Sequence, residues 1–377
     1  MEKIYLDYSA TTPINSEVLS TMMPYLTTEF ANADSVYEVG RNSSYALDDA
    51  RRKIASLIRA NPEEIYFTSG GSESDNWAIK GIAFANKNKG KHIITSSIEH
   101  PAIINACKWL EENGFTITYL PVDNNGLVST TVLEQAIKND TILVSIMSVN
   151  NEVGSVQNIK ELTKIAHDKG VYFHTDAVQA VGYEDIGVKE TNVDLMTISS
   201  HKFFGPKGVG FLYVKKGVLL EKLIHGGHQE RSMRGGTSNT PLVVGMAKAM
   251  EIALYNAKEN SAKVEKIRNL FEEKILETIP NVCINCKENR VAHNSSITFY
   301  GIDSSVLLFR LDMEGVFASA GSACSSGSLE PSYVLKAIGL SDEDAKSTLR
   351  FSFSHLTTEE EILIAVEKIK TCVESLR

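Results

Sequence analysis

The sequence predicts an α/β fold, in which a large domain with a mostly parallel seven-stranded sheet is joined to a smaller α+β domain. Between about residues 45 and 215, short apolar runs rich in β-branched residues alternate with longer segments that carry apolar residues at helical spacing. Strands that are apolar on both faces and alternate with helices form parallel sheets through βαβ crossovers. After Pro280 this alternation stops, and shorter strands and helices predict the second domain.

Seven short runs are the candidate strands of the large domain. They are Ile65–Thr68, Lys91–Ser96, Phe115–Leu120, Ile142–Met147, Val171–His174, Leu195–Ser199 and Val209–Val214. The helical segments between them are Ser74–Asn88, Pro101–Asn113, Thr131–Lys138 and Ile159–Lys169. Further helices and strands are predicted in Leu242–Ile279, at Val282–Asn285, at Asn294–Phe299, near Ser304–Met313 and from Thr358. The predicted domains are 16–257 for the large one, and 1–15 with 258–377 for the small one.

Composition limits the classes of function. The chain has 377 residues, with 38 Lys+Arg against 47 Asp+Glu, so its formal net charge is −9. An acidic chain does not favour nucleic acid as a partner, because such binding needs many cationic contacts to phosphates. No apolar run approaches the ~18 residues of a membrane span, and the first residues lack the layout of a secretory signal. Five cysteines at irregular spacing argue against a disulfide framework and favour the cytoplasm.

Reactive residue types follow several predicted strands, where open α/β sheets bind their ligands. Thr68–Glu73 (TSGGSE) brings small residues and hydroxyls to the start of a helix, which can hold a phosphate or can be an ordinary capped turn. His100 follows a strand, where it can act as an acid or base or stack on a flat ligand, or can be purely structural. Asp176 lies next to the end of another strand, where it can bind a ribose hydroxyl, a metal or a protonated ring nitrogen, or can be an ordinary helix N-cap. Lys202 follows another strand, where partial desolvation would favour the neutral amine that a Schiff base needs. Its alternative is a surface-turn lysine, a role that suits Lys207 better.

The second domain adds a thiol. Cys324 stands among small polar residues, which predicts an exposed nucleophile on a mobile loop. Cys107, by contrast, lies in an amphipathic segment and is predicted to be core. Cys283 and Cys286, with His293 downstream, resemble half a zinc site, but no second pair with suitable spacing follows, so no metal is predicted.

These signals together fit one cofactor. A phosphate-binding turn, a histidine that can stack on a ring, and an acid 26 residues before a Schiff-base lysine are the groups that pyridoxal 5′-phosphate requires. The acid would keep the pyridine nitrogen protonated, so that the ring accepts electrons.

Nine stretches carry a resemblance to a known family. They are Tyr5–Pro13 (YLDYSATTP), Gly70–Ser74 (GGSES), Glu99–His100, Asn150–Gly154 (NNEVG), Asp176–Gln179 (DAVQ), Ser199–Lys202 (SSHK), Arg234–Thr237 (RGGT), Gly321–Pro331 (GSACSSGSLEP) and Leu349–Ser352 (LRFS). In this order, over nearly the whole chain, they resemble the NifS/IscS-type cysteine desulfurases of the class V aminotransferase family, which have the fold-type-I architecture of pyridoxal-phosphate enzymes. The Cys324 stretch resembles the long-loop subgroup that includes NifS and IscS.

The resemblance implies an enzyme that converts L-cysteine to L-alanine and leaves the sulfur as a persulfide on Cys324. A sulfur acceptor, either an iron–sulfur scaffold protein or a thiolation enzyme, would then take it. By the same resemblance the catalytic residues are Lys202, Cys324 and His100, the cofactor ligands are Gly71, Ser72, His100, Asn151, Asp176, Gln179, Ser199, His201, Lys202 and Thr237, and the substrate ligands are Asn151, Arg350 and Asn32. Thr237 is expected to reach the site of the partner subunit in a homodimer.

The chain departs from the family pattern in three places. Asn32–Tyr37 lacks the usual proline and histidine, Gly71 and Ser72 replace alanine and threonine, and Phe204 replaces tyrosine. The first departure leaves substrate preference and acceptor choice open. A selenocysteine lyase of the same fold is the nearest alternative. A non-catalytic scaffold of the same fold is a further one, but the chain retains all four reactive residues, which argues against it. These residues are His100, Asp176, Lys202 and Cys324.

Overall fold

The large domain is built on one twisted sheet. The computed structural model of the chain describes residues 3–321 and 330–377. Within these residues the strands are β1 Ile4–Tyr5, β2 Ile65–Thr68, β3 His92–Ser96, β4 Thr116–Leu120, β5 Thr141–Ser145, β6 Tyr172–Asp176, β7 Leu195–Ser199, β8 Gly210–Val214, β9 Val282–Asn285, β10 Asn294–Phe299, β11 Val316–Phe317 and β12 Thr348–Ser352. Strands β2 to β8 form the seven-stranded sheet, in the order β2-β8-β7-β6-β5-β3-β4. All seven were predicted from the sequence to within two residues at each end.

The sheet is mostly parallel, as predicted. Strands β7, β6, β5, β3 and β4 run parallel to one another, whereas β8 is antiparallel to both of its neighbours, β7 and β2. Because parallel strands end at the same edge, the segments after β3, β5, β6 and β7 meet there. This edge is where the reactive residues follow the strands.

Helices cover the sheet and build the second domain. They are α1 Ser16–Thr27, α2 Glu38–Leu57, α3 Gly71–Asn86, α4 Pro101–Glu112, α5 Thr130–Ala136, α6 Ile159–Asp168, α7 Val188–Thr191, α8 Thr240–Tyr255, α9 Ala257–Thr278, α10 Ser304–Met313, α11 Tyr333–Ala337, α12 Asp342–Lys346 and α13 Glu359–Leu376. Helix α3 is buried along most of its length, and its Trp77 is fully buried and donates a hydrogen bond from Nε1 to Glu221 O at 2.9 Å. Helix α4 contains Cys107, which is fully buried as the sequence predicts, and burial raises the pKa of its thiol to about 12.

The second domain has its own core and a short antiparallel sheet. Its sheet order is β12-β10-β9, and Phe271, Ile297 and Phe351 pack together with Ile4 near the N-terminus. The N-terminal strand β1 pairs in parallel with β11, so the first residues contact this part of the chain. The boundaries at 15/16 and 257/258 stay a prediction, although Asn256 lies between the end of α8 and the start of α9.

Strand β12 was not predicted from the sequence. Its five residues are all buried, and Arg350 stands at its centre. A charged residue in a five-residue run breaks the apolar pattern by which a buried strand is identified. The strand forms nonetheless because β10 pairs with it over its whole length, from Asn294 to Thr298.

Candidate active site

The predicted site residues converge on one cavity at the carboxyl edge of the sheet. The cavity has a volume of about 180 Å³. Its lining residues are Ser9, Ala10, Gly71, Ser72, Asp75, His100, Met147, Asn151, Asp176, Val178, Gln179, Ser199, His201, Lys202 and Arg350. Ten of the thirteen residues predicted for the site are therefore brought together from six separate parts of the chain.

Lys202 brings an amine into this cavity. It ends the short 3₁₀ turn that follows β7, and its Nζ donates hydrogen bonds to Ser9 O at 2.6 Å and Ala10 O at 2.8 Å. Ser9 O also accepts a hydrogen bond from Gln179 Nε2 at 3.0 Å. The N-terminal segment therefore orients both side chains, although at least 170 residues separate it from either of them.

Asp176 places a buried carboxylate beside the amine. It is the last residue of β6 and only 6% exposed, and its Oδ1 accepts a hydrogen bond from Val178 N at 2.9 Å. Burial raises the pKa of Asp176 to about 6, while the Val178 hydrogen bond and the charge of Lys202 act in the opposite direction. The carboxyl is therefore mostly ionised at neutral pH, as a partner for a protonated ring nitrogen must be.

His100 is neutral at physiological pH. Burial, reinforced by the charge of Lys202, lowers the pKa of His100 to about 4. Its Nδ1 accepts a hydrogen bond from Ala102 N at 3.2 Å and so caps helix α4. Because Nδ1 accepts, the ring proton of the neutral imidazole is on Nε2. His100 is therefore a helix cap that also lines the cavity, and its functional role stays a prediction.

The start of α3 offers an anion site. The helix begins at Gly71, and its N-cap Gly70 has a φ of 146°, a backbone conformation that residues other than glycine rarely adopt. A Cβ on Gly71 would lie 3.1 Å from Val178 Cγ2, so the close approach of the two segments favours glycine there. Unpaired amide groups at a helix N-terminus, together with hydroxyls such as that of Ser72, hold phosphate well. Ser199 and His201 line the same cavity, and Ser199 Cβ lies 3.6 Å from where a Cβ on Gly71 would stand.

An ion pair braces this helix start. Arg234 Nε lies 2.8 Å from Glu73 Oε1, and Arg234 Nη2 lies 3.0 Å from Glu73 Oε2. Although burial acts to raise it, hydrogen bonds from Arg234 and Ser69 lower the pKa of Glu73. The charged carboxylate thereby holds the Arg234–Thr237 stretch against the first turn of α3.

Arg350 brings a buried guanidinium from the second domain. It is 2% exposed, and it donates from Nη1 to Asn151 O at 2.9 Å and from Nη2 to Asp7 Oδ1 at 2.7 Å. Asp7 in turn accepts a hydrogen bond from the Ser319 hydroxyl at 2.8 Å. Arg350 and Asn151, the two residues expected to bind the substrate carboxylate, are therefore in direct contact.

Three predicted site residues are not in this cavity. Asn32 is exposed, and its Oδ1 accepts a hydrogen bond from Asp34 N at 3.0 Å. Thr237 is exposed at the surface of the single chain, and its role toward a partner subunit stays a prediction. Cys324 lies outside the described residues.

Several lining residues were missed by the sequence interpretation. Ser9 lies inside a stretch that carried the family resemblance, and only the fold shows that its carbonyl holds Lys202 and Gln179. Asp75 lies one residue beyond the stretch Gly70–Ser74, and the helical spacing from Gly71 to Asp75 is the signal that would have found it.

The pair Cys283 and Cys286 forms no metal site with its described neighbours. Cys283 lies on β9 and Cys286 just beyond its end, as predicted. Over residues 3–321 and 330–377, no group of three or more His, Cys, Asp and Glu side chains is placed to hold a metal ion.

The aminotransferase class-V family model matches residues 4–364. The chain belongs to this family. A cysteine desulfurase IscS from Methanosarcina thermophila is 50% identical over 375 residues, which cover 99% of this chain and 93% of that protein. Among solved structures, a NifS-like protein is 35% identical with a TM-score of 0.94 and full coverage of both chains. A structure described as SspA in complex with cysteine is 39% identical with a TM-score of 0.84, and the match covers 94% of this chain and all of that one. The predicted resemblance to NifS/IscS-type enzymes is thereby confirmed.

Class V aminotransferases use pyridoxal 5′-phosphate, and the cavity fits this group. The amine of Lys202 suits its aldehyde, the carboxylate of Asp176 suits its ring nitrogen, and the start of α3 suits its phosphate. In addition, the hydroxyl oxygen of Ser9 is buried against the cavity without a hydrogen-bond partner among the described residues. Such an orphaned polar atom is expected where a ligand completes the site.

Proposed function

We propose that the protein is a pyridoxal-phosphate-dependent cysteine desulfurase, which converts L-cysteine to L-alanine and holds the sulfur as a persulfide on Cys324. The observation that carries the proposal is the meeting of Lys202, Asp176 and Arg350 in one cavity. Cysteine desulfurases of similar length are among the relatives, and one similar structure is described as a complex with cysteine. These comparisons do not favour a selenocysteine lyase.

The residues of the cavity divide the work of holding the cofactor. Lys202 would bind its aldehyde carbon and later move protons at the substrate, His100 would stack on the ring, and Asp176 would keep the ring nitrogen protonated. The remaining ligands would be Gln179 at the ring hydroxyl, Asn151 near the ring, and Gly71, Ser72, Ser199 and His201 at the phosphate. When bound, the cofactor supplies an electron sink for the substrate carbon.

Arg350 and Asn151 bind the substrate carboxylate. The planar fork of an arginine suits two carboxylate oxygens, and the contact with Asp7 holds that fork in one orientation. Asn32 stays a predicted substrate ligand on a segment at the surface.

Cys324 is the sulfur acceptor. Its thiolate forms an S–S bond with the substrate sulfur while the C–S bond of the substrate breaks, and the carbon takes up a proton to become the methyl group of alanine. Before this cysteine the described residues reach Gly321, and Ser319 is tied to the backbone of Arg350 by two hydrogen bonds, at 3.1 and 2.7 Å. The five residues from Ser319 to Cys324 limit the separation of these two positions to about 18 Å.

A homodimer completes the site. Leu19, Met23 and Leu26 form one exposed apolar face of α1, and Phe30 and Tyr37, beyond the end of this helix, are exposed as well. An exposed apolar helix face of this kind indicates an interface. Thr237 would then approach the phosphate of the partner subunit, which its exposure on the single chain allows.

The persulfide passes to an acceptor protein, either an iron–sulfur scaffold or a thiolation enzyme, with no direct contact to nucleic acid. In the ranges 3–321 and 330–377 the helices include none that is both long and apolar enough to cross a membrane. Cys107, Cys283, Cys286 and Cys372 are all free thiols, which supports a reducing compartment, the cytoplasm.

One experiment tests the function. Purified protein supplied with the cofactor should show a visible absorbance band and, with L-cysteine and a thiol reductant, release alanine and sulfide in equal amounts. Cys324→Ala should keep the band but lose alanine formation, whereas Cys283→Ala, at a half-buried cysteine of β9, should behave like the parent protein. A protein that shows the visible band but does not react with cysteine would contradict the proposed substrate. A protein that never shows the band would contradict the proposal that it is a pyridoxal-phosphate enzyme.

A further inference from the structure

A second acid lies beside Asp176 in the cavity. Asp75 lies on the first turns of α3, is 1% exposed and lines the cavity together with Asp176. Its Oδ1 has no hydrogen-bond partner among the described residues. A buried carboxylate with an unpaired oxygen is costly, so the environment of Asp75 selects the neutral acid.

The groups that face Asp75 do not compensate a negative charge. On β6, His174 Nε2 is 3.9 Å from Asp75 Oδ1, but burial lowers the pKa of His174 to about 3, so the ring is neutral. Burial is the main cause that raises the pKa of Asp75. Two neighbouring acids raise it further, Asp176 at the end of β6 and Glu99 after β3. A hydrogen bond with Thr197 on β7 opposes them and is outweighed.

The two aspartates differ in their partners. Asp176 accepts a backbone hydrogen bond from Val178 and is close enough to Lys202 for that charge to favour its ionised form. Within the described part of the chain, the groups that shift the pKa of Asp75 include no such cation. A pair of close carboxyls cannot both ionise in a buried site, and the proton goes to the one with the poorer partners.

Thr197 and His174 continue the contacts away from the cavity. His174 Nε2 lies 3.0 Å from Thr197 Oγ1, and its Nδ1 lies 2.8 Å from Ser145 Oγ. If the acid proton of Asp75 is donated to Thr197, the Thr197 hydroxyl donates to His174 Nε2, and His174 then carries its proton on Nδ1. An ionised Asp75 would require the reverse order of donors and the opposite tautomer.

We infer that Asp75 is a positioning residue, held as the neutral acid beside Asp176, so that Asp176 alone carries the negative charge that keeps the ring nitrogen of the cofactor protonated. The inference rests on the proposed function for the part played by Asp176. The protonation of Asp75 itself is a property of the buried cluster and can be measured separately.

The test compares Asp75→Asn with Asp75→Leu in the cofactor-loaded protein. Asparagine mimics a neutral acid because its amide can donate to Thr197, whereas leucine fills a similar volume without a donor. Asp75→Asn should leave the pH dependence of the cofactor absorbance unchanged, and the imidazole of His174 should keep its Nδ1–H tautomer by ¹⁵N NMR. Asp75→Leu should disturb both.

Infrared difference spectra between the parent protein and Asp75→Asn report on the acid without reference to turnover. Loss of the carbonyl stretch of a protonated carboxyl supports the inference, and loss of a carboxylate stretch would overturn it. A shift of the cofactor titration by on the order of one pH unit in Asp75→Asn would also overturn it, because it would reveal that a charge had been removed. If the protein proved inactive on cysteine, the infrared result would stand, so failure of the proposed function and failure of this inference are distinguishable.

Discussion

Replacement of Arg350 by lysine tests the substrate site most directly. Arg350 Nη1 and Nη2 are engaged by Asn151 O and Asp7 Oδ1 in a side chain that is 3% exposed. A lysine keeps the charge, but its single ammonium cannot reproduce the planar fork that makes these contacts and also holds a carboxylate. We therefore expect Arg350→Lys to bind L-cysteine less tightly while the chemical steps remain available.

The magnitude follows from the hydrogen bonds lost. One hydrogen bond to a charged group contributes about 1.5–3 kcal/mol, which corresponds to a KM for cysteine raised about 10- to 150-fold. The value of kcat should change much less, because neither Lys202 nor Asp176 is altered. Initial rates of alanine formation over a range of cysteine concentrations measure both parameters.

A matched control separates substrate binding from stability. Arg290 is a buried arginine of the same domain whose two Nη atoms pair with Glu272 at 2.5 and 2.6 Å, and its side chain is 7% exposed. Arg290→Lys should lose a similar amount of unfolding free energy in urea, about 1–3 kcal/mol, without a change in KM. An unchanged KM in Arg350→Lys, or an equal rise in Arg290→Lys, would refute the assignment of Arg350.

Three further changes have defined outcomes. Lys202→Ala should abolish turnover and the visible band of the bound cofactor, measured by absorbance on addition of cofactor. Glu230→Gln should lower the unfolding free energy by about 3–5 kcal/mol in urea. Glu230 pairs at 2.8 Å with Arg51, whose side chain is 12% exposed, and it begins three consecutive left-handed residues, with φ of 46°, 55° and 64°. Burial and nearby cations lower the pKa of His293 to about 3. Below a pH of about 6.5 the unfolded chain therefore binds a proton at this histidine that the folded chain does not bind, and the free energy of unfolding falls as the pH drops from about 6.5 to 4. His293→Gln should reduce this loss by at least about 1 kcal/mol.

Each of these has its own control and contradiction. Lys207→Ala, in the turn beyond Lys202, should keep both the visible band and turnover. If Lys202→Ala kept both, Lys202 would not be the lysine that binds the cofactor. Asp49→Asn breaks an exposed pair with Arg52 and should cost little; an equally small effect of Glu230→Gln would mean that its pair does not hold the strained turn. Identical pH dependence in parent protein and His293→Gln would show that this histidine does not stay neutral in the fold.

The sheet was predictable because its signal is local. Each of the seven strands is an apolar run of about five residues between helical segments, and a strand buried on both faces needs only that pattern to be identified. Strand β12 escaped because the buried Arg350 interrupts the run, and its pairing with β10 is a contact between segments about 50 residues apart.

The reactive residues were found for a related reason. His100, Asp176 and Lys202 lie at or just beyond the carboxyl ends of strands, and parallel strands bring the residues at those ends to one edge of the sheet. Ser9 and Asp75 escaped because neither lies at the end of a strand of this sheet. No local pattern marks the contacts of the Ser9 carbonyl, and only the helical spacing from Gly71 marks Asp75.

By itself, then, the sequence determined the alternation of strands and helices, the acidic character of the chain, and the residue types that can serve pyridoxal phosphate. Only the tertiary structure decided that Asp7 meets Arg350 across 343 residues, that the carbonyl of Ser9 holds Lys202, and that Asp75 lies beside Asp176. Periodicity reports on neighbours a few residues away, whereas these contacts depend on which strands pair and on which charges become buried together. Protonation and orientation in the site follow from that burial.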